Sequence, residues 1–166
     1  MSFHVRIRVG AELYAMPVEH AIEVATLDEV TPVPGSRAEV LGVTNLRGQI
    51  LPVVDLAQLL GVRRAEPPRD LPAHLPAHLP GHLSGHLPGR LPAHLRARRP
   101  GHLLVVEAAG RRAGFAIDEV REVGELPEPA EETDSELLRG STLVSGELIG
   151  VIDVTRVFAV IERGRQ

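Results

Sequence analysis

Two stretches of this sequence match each other, and that match limits the fold more than any other feature. They are "GVTNLRGQILPVVDLAQLL" at positions 42–60 and "GSTLVSGELIGVIDVTRVF" at positions 140–158. At a constant offset, the identical residues are Gly42, Thr44, Gly48, Val53 and Asp55, which meet Gly140, Thr142, Gly146, Val151 and Asp153. Upstream, after a one-residue change of offset, Glu23-Val24 meets Glu122-Val123. Spaced identities of this kind predict a duplicated lobe, so the fold must contain two similar halves.

Short strands separated by turns are the predicted content of each half. In the first half, apolar alternation and turn residues predict strands at 3–9, 13–18, 21–27, 40–46 and 49–56, with a hairpin turn at Arg47-Gly48. Asp55 and Gln58 have the spacing of a capping box, which predicts a short helix over Leu56–Leu60. From His102 the plan repeats, with "HLLVVEA", a turn at Gly110 and "AGFAIDEVREV". We therefore expect a small β-barrel or curled sheet for each half, with apolar faces packed together.

The middle of the chain has a different composition. From Leu71 it reads "LPAHLPAHLPGHLSGHLPGRLPAHLR", a four-residue repeat of Leu, a mostly Pro position, Ala or Gly, and His or Arg. Frequent proline removes backbone donors and blocks a helix, so we predict a polyproline-like, largely disordered insert over 63–101. An expanded repeat in an exposed loop explains it, since lengthening a surface loop costs little closure entropy. The insert also marks a boundary, which predicts a first β lobe at 1–62 and a second at 102–166 within a single domain, 1–166.

The repeat carries histidines, which raises metal binding as an alternative function. They stand at positions 74, 78, 82, 86 and 94. Metal sites hold their ligands at set spacing on a rigid frame, with further hydrogen bonds orienting the ligands. The tract shows no such frame, so we predict no metal site and no cofactor.

Composition argues against several classes of protein. Hydrophobic residues make up 43% of the chain but aromatic residues only 2%, so the core must be built from Val, Leu, Ile and Ala. The net charge of −4, without a basic stripe interleaved with aromatic residues, argues against nucleic-acid binding. No apolar run approaches the roughly 20 residues that span a bilayer, and the N-terminus lacks a signal-peptide core. Together with the absence of cysteine, this predicts a cytoplasmic protein with no direct membrane insertion.

Groups that could perform catalysis do not converge in the sequence. It has no glycine-rich phosphate loop and no nucleophile elbow. Its paired carboxylates, Asp55 and Asp153, occupy the same place in both halves and are explained as helix N-caps. His4 and His20 are explained as surface histidines in or beside strands. We therefore predict no catalytic residue and no enzyme activity.

Residues that differ between the halves indicate what is particular to one of them. Asn45, Arg47 and Pro52 stand opposite Leu143, Ser145 and Gly150. The hairpin therefore needs Gly48 but does not need Arg47. A guanidinium carries five donors and suits carboxylates and backbone carbonyls at interfaces. Arg47 is either an exposed turn charge or a contact to a partner, and we favour the contact.

The first of the two matching stretches resembles the signature of a known protein family. "GVTNLRGQILPVVDL" resembles that of the CheW-like domain, the fold of bacterial chemotaxis coupling proteins and of the regulatory domain of the chemotaxis histidine kinase. "GAELYAMPVEHAIEV" is similar to the family's first hairpin and the segment after it, "RRAGFAIDEVREV" to its second-lobe stretch, and "SGELIGVIDVTRVF" to its closing strand and helix. The resemblance covers the chain apart from about 63–101. It implies a mainly β fold, with two small SH3-like, five-stranded β-barrel lobes packed together and short helices.

A non-enzymatic signalling scaffold is the function that this resemblance implies. The family's adaptor couples the cytoplasmic tip of chemoreceptors to the regulatory domain of the chemotaxis histidine kinase, within membrane-associated receptor arrays. The family's coupling residues are the Arg of its N-[LI]-R-G motif and the Glu after its first hairpin, which correspond to Arg47 and Glu23. Further contacts to a partner are expected from the residues around them, which are Asn45, Ala21, Val24, Val43 and Leu46.

Two related functions stay open. The same adaptor role fits a chemotaxis-like pathway that controls motility, pili or another output. A CheW-like domain can also be a detached regulatory piece of a larger protein. The second is less favoured, because the chain ends at Gln166 without a receiver or kinase segment.

Overall fold

The computed structural model describes residues 2–62, 101–130 and 133–163. Their strands are β1 (Ser2–Val9), β2 (Glu12–Pro17), β3 (Ala21–Thr26), β4 (Val40–Leu46), β5 (Gln49–Asp55), β6 (His102–Ala108), β7 (Arg111–Ile117), β8 (Glu119–Leu126), β9 (Leu138–Val144) and β10 (Glu147–Ile152). The helices are α1 (Leu56–Leu60) and α2 (Val154–Arg163), and a 3₁₀ turn covers Val18–His20. Apart from Gly101, the predicted insert 63–101 and its histidines lie outside the described residues.

The strands form two five-stranded sheets. Sheet A has the order β8-β1-β2-β10-β9, and sheet B has the order β3-β6-β7-β5-β4. Each sheet contains one parallel pairing, β2 with β10 in sheet A and β5 with β7 in sheet B, among antiparallel neighbours. The prediction of a mainly β fold with two five-stranded lobes and short helices is confirmed.

The sheets do not coincide with the sequence segments 1–62 and 102–166. Hairpin β1–β2, from the first half, joins β8, β9 and β10 in sheet A. Hairpin β6–β7, from the second half, joins β3, β4 and β5 in sheet B. The two halves have therefore exchanged their first hairpins, which corrects the expectation of one lobe per segment. Apolar alternation specifies which face of a strand is buried, but it does not specify which distant strand lies beside it.

The exchange makes the two sheets equivalent strand by strand, and the identities between the halves fall at matching positions. Gly42 and Gly140 both have a positive φ, of 146° and 152°. At Gly42 a Cβ atom would lie 2.1 Å from the carbonyl oxygen of Thr31, so the close approach of that loop excludes any side chain. Asp153 is confirmed as an N-cap, because its Oδ1 accepts a hydrogen bond of 3.1 Å from the backbone N–H of Arg156. Asp55 holds the corresponding N-cap position of α1, but its side chain makes no capping hydrogen bond there, so the expected capping box with Gln58 is wrong although the helix begins where it was predicted.

Three apolar clusters hold the sheets together. The largest lies between the sheets, because it draws on strands of both and on both helices; it includes Val5, Ile7, Val9, Met16, Val54, Leu56, Leu104, Val106, Phe115, Ile117, Ile152, Val157 and Phe158. A second cluster lies within sheet B, around Leu51, Val53, Leu103, Val105 and Ala116. A third lies within sheet A, around Ala15, Leu126 and Ile149. Each sheet therefore packs one face against the other sheet. On the opposite face of the same sheet, apolar side chains pack against one another.

Candidate functional site

The β4–β5 turn presents Arg47 in a left-handed backbone conformation. Arg47 and Gly48 have φ values of 51° and 83°, and both central residues of a type I′ hairpin turn require positive φ. Ser145 and Gly146, at the matching turn of sheet A, have φ values of 51° and 82°. The backbone geometry is thus shared by both sheets, whereas the arginine side chain belongs to sheet B alone.

Arg47 and Glu23 form an ion pair. Nη1 of Arg47 donates to Oε2 of Glu23 at 2.7 Å, and the two residues lie at opposite edges of sheet B, on the turn after β4 and on β3. The sheet therefore curls far enough for side chains from its two edges to meet. The Arg47 side chain is 79% exposed and that of Glu23 is 25% exposed. An exposed pair of this kind stabilises a fold by only about 0–1 kcal/mol, so stability alone does not account for it.

Both residues of this ion pair line a depression of about 300 Å³ in sheet B. Its floor is apolar and consists of Leu46, Leu51 and Val105, with Ile22 at one side. Leu51 and Val105 belong to the cluster within sheet B, and Leu46 packs against that cluster. We call this depression, with its floor and its polar rim, the sheet B pocket.

A second arginine completes the rim of the sheet B pocket. Arg112, on β7, donates from Nε to Oε2 of Glu107 at 2.5 Å and from Nη1 to Oε1 of Gln49 at 3.2 Å. Sequence reasoning missed Arg112, because it lies in the second half of the chain and reaches sheet B only through the hairpin exchange. The register of the β6–β7 hairpin pairs Arg112 with Glu107, but that local signal does not place the pair beside β5.

The structure brings three of the seven predicted contact residues together and separates the others. Glu23, Leu46 and Arg47 all line the sheet B pocket. Asn45 stabilises the turn, since its Oδ1 accepts a 2.9 Å hydrogen bond from the N–H of Gly48. Ala21 packs against the cluster between the sheets, and Val24 is exposed. Val43 lies further along β4, where its backbone exchanges hydrogen bonds of 2.8 and 2.9 Å with Thr31.

Several other polar side chains of the described residues have structural partners, although the buried Nε of Arg6 has none. The hydroxyl of Tyr14 donates to Oε2 of Glu12 at 2.8 Å. Burial, together with this hydrogen bond, raises the pKa of Tyr14, so the phenol stays protonated. Within 2–62, 101–130 and 133–163, no group of three or more His, Cys, Asp or Glu side chains is placed to hold a metal ion. In the same ranges, no helix has the length and hydropathy needed to cross a membrane.

Comparisons with known proteins agree with this architecture. The family model of the CheW-like domain matches residues 4–162. A protein named "Chemotaxis protein CheW" from Rhizobium meliloti is 25% identical over 96% of this chain and 88% of its own length. Another of that name from Thermotoga maritima is 44% identical over 54 residues, which are 32% of this chain and 36% of that protein.

A solved structure shares the fold. It is the scaffolding protein TtCheW from Thermoanaerobacter tengcongensis, which superimposes with a TM-score of 0.66 at 22% identity, over 92% of this chain and 84% of that one. The family model, the sequence relatives and this structure agree, and the chain belongs to the CheW-like domain family.

Proposed function

We propose that this protein is a non-enzymatic adaptor that couples chemoreceptors to the chemotaxis histidine kinase. The observation that supports it most is the family match over residues 4–162, joined to an exposed Glu23–Arg47 pair at the positions that the resemblance assigns to coupling. The proposed partners are the regulatory domain of the kinase and the cytoplasmic tips of the receptors. The proposed location is the cytoplasm, at receptor arrays reached through those partners.

Arg47 and Glu23 are the proposed contacts to the partner. Arg47 is 79% exposed and, among the described residues, uses only its Nη1 in a hydrogen bond. The remaining N–H groups can bind a carboxylate or a backbone carbonyl of another protein. Glu23 holds the guanidinium in place, which reduces the side-chain entropy that binding must overcome.

Coupling is tested by reconstitution. The purified chain is mixed with the histidine kinase and with membranes that contain a chemoreceptor of the same organism, and both co-sedimentation of the kinase and its autophosphorylation rate are measured. We expect the chain to recruit the kinase to the membranes and raise its rate. Arg47→Ala should weaken recruitment about tenfold or more, because a central interface residue is worth about 2 kcal/mol.

Arg37→Ala is the matched control. Arg37 is also partly exposed and also ion-paired, with Glu39, but it does not line the sheet B pocket. It should recruit the kinase as the unaltered chain does. If the unaltered chain fails to recruit the kinase to receptor membranes, the coupling proposal is wrong.

A further inference from the structure

Each sheet carries a cavity along its parallel strand pair, and the two cavities lie at matching positions. In sheet B, residues of β5 and β7 line a cavity of about 520 Å³; they are Pro52, Arg111, Arg112 and Ala113. In sheet A, the matching residues of β10 and β2 line a cavity of about 820 Å³; they are Gly150, Glu12, Leu13 and Tyr14. The match follows from the parallel pairings, which place Val53 beside Gly114 and Val151 beside Ala15. We call the first the α2 cavity and the second the sheet A cavity.

The last turns of α2 fill part of the α2 cavity. Phe158, Ile161 and Glu162 line it beside the sheet residues. Ile161 packs against the largest apolar cluster, and Glu162 forms an ion pair with Arg111 of β7. On sheet B, the end of a helix therefore supplies an aliphatic side chain and the charge that complements the strand.

The helix α1 stops before it reaches the sheet A cavity. It begins at the position that matches the start of α2, but it has five residues where α2 has ten. Gly61 ends it in the left-handed conformation, with a φ of 73°, and its N–H bonds to the carbonyls of Ala57 and Gln58. Within 2–62, no residue of α1 lines the sheet A cavity. The place that Ile161 and Glu162 fill on sheet B thus has no equivalent side chains from α1 on sheet A.

The charge of the strand residue is reversed between the two cavities. Glu12 of β2 stands where β7 has Arg111. Its Oε2 accepts a hydrogen bond of 2.8 Å from the hydroxyl of Tyr14, and it forms no ion pair with any residue that the structure describes. A group that fills the sheet A cavity as α2 fills the other must therefore bring a cation in place of the Glu162 carboxylate.

The remaining charges of the sheet A cavity favour the same sign. Asp134 and Glu147 also line it, and within the described ranges neither forms an ion pair. Arg8 and Arg121 line it too, but Glu119 lies 3.1 and 3.9 Å from their guanidinium groups. The arginines are thus already balanced in part, whereas the carboxylates are not.

From these observations we infer that the sheet A cavity binds the last turn of an amphipathic helix of a partner protein, in which an aliphatic residue is followed by Arg or Lys. The aliphatic side chain packs beside Tyr14 and Leu138, and the cation pairs with Glu12. A cation is also favoured in the last turn of a helix by the helix dipole. This surface lies on sheet A, so the inference goes beyond the coupling function proposed for Glu23 and Arg47.

A synthetic helix is the probe that tests this inference. It is an alanine-rich peptide that ends in the residues of α2 from Ala159 to Arg163, with Glu162→Arg. A covalent staple holds it helical, because isolated helices shorter than about 12–15 residues are marginal in water. Fluorescence anisotropy with the full chain measures its affinity. We expect it to bind at least about fivefold more tightly than the same peptide with Glu162 retained, since an exposed ion pair contributes up to about that factor. Equal affinities overturn the inference.

Reversing the charge of Glu12 gives the sharper test. Glu12→Arg should reverse the preference, because the strand then carries the sign that Arg111 has in sheet B. Glu12→Gln should abolish the preference while keeping an acceptor for the hydroxyl of Tyr14, and it decides the question if Glu12→Arg does not melt cooperatively. A preference that survives in Glu12→Gln shows that Glu12 does not pair with the probe and overturns the inference.

Glu128→Gln is the matched control. It removes the same charge from an exposed residue that does not line the sheet A cavity. At about 0.15 M salt, where charges interact over roughly 8 Å, it should keep the preference within about twofold. If Glu128→Gln loses as much as Glu12→Gln does, the probe responds to the overall charge and the inference is overturned.

The aliphatic residue of the probe is tested separately. Ile161→Ser in the peptide should weaken binding severalfold, because its apolar surface is no longer buried. Unchanged affinity overturns the apolar part of the inference.

The chain itself offers one competing occupant. In sequence, Arg64 stands at the position that matches Glu162. Arg64→Ser should leave the affinity for the probe within about twofold of the unaltered chain, as for a residue outside the interface. If Arg64→Ser strengthens binding about tenfold, the cation of the chain competes for the cavity and the partner protein is overturned as its occupant.

Discussion

Arg47 occupies a backbone position that suits other residues better. For residues with a Cβ atom, the left-handed region costs about 1–2 kcal/mol, and glycine avoids that cost. Arg47 has a φ of 51° and lies directly before Gly48, whose φ is 83°. Its presence thus costs some stability, and the exposed ion pair with Glu23 offsets only part of that cost. Ser145 has the same φ of 51° in sheet A, so the backbone position alone does not select an arginine; the proposed contact to a partner would account for one.

Replacing Arg47 by glycine separates the turn from the guanidinium. Arg47→Gly should melt higher than Arg47→Ala by about 4 °C, since about 1 kcal/mol of backbone strain is removed. Both variants should bind the kinase equally poorly, because both lack the guanidinium. Thermal melting and calorimetry measure the two effects. Ser145→Gly, at the matching turn of sheet A, should raise the melting temperature and leave binding unchanged.

Asn45 acts on stability through the same turn. Asn45→Ala removes the acceptor for the N–H of Gly48, and we expect a loss of about 1 kcal/mol in the free energy of unfolding, measured in urea. Binding to the kinase should stay within about twofold of the unaltered chain, since the side chain is engaged by the turn. If Asn45→Ala instead weakens binding and leaves stability unchanged, Asn45 contacts the partner, as the sequence predicted.

Among the elements, the sequence predicted those that depend on local chemistry. The helix Leu56–Leu60 follows its N-cap with the predicted bounds, and the hairpin turn lies at Arg47-Gly48 as expected. These features rest on residues close together in the chain, such as Asp55 before a helix and Gly48 in a turn. The position of Arg112 could not be predicted in the same way, because it depends on the parallel pairing of β5 with β7, across a long separation in sequence.

The cap of α2 gives a prediction at this scale. Asp153→Ala should lower the free energy of unfolding by about 1 kcal/mol, because the N–H of Arg156 loses its acceptor. Asp153→Asn should restore most of it, since an amide oxygen also accepts that hydrogen bond. Urea unfolding of the two variants measures the difference. If both variants lose the same stability, the charge of Asp153 and not its hydrogen bond is what matters.

At the scale of the whole molecule, the hairpin exchange makes the folding of each half depend on strands from the other half. Without the second half, β1–β2 lacks β8 and β10, and β3, β4 and β5 lack β6–β7. The largest apolar cluster also needs both sheets. Neither half can therefore bury its apolar surface alone.

Separate fragments test this coupling. Peptides 1–62 and 102–166 should each lack a cooperative thermal transition by circular dichroism, and an equimolar mixture should recover the β signal and a cooperative melt. Independent folding of either fragment would contradict the exchange, because it would require a complete sheet within one half.

The exchange also means that the segment between the halves affects the free energy of bringing the two halves together. Two halves that trade hairpins are topologically two subunits of a pseudo-symmetric dimer, and residues 63–100 tether them covalently. A tether acts through the effective concentration at which it holds one subunit near the other, and that concentration falls slowly with length. For a flexible connection of this length, the general loop-closure relation predicts that one four-residue unit of the Leu-Pro-Ala-His repeat changes the closure free energy by about 0.1 kcal/mol. The number of repeat units can thus drift with little penalty in the stability of the dimer-like fold.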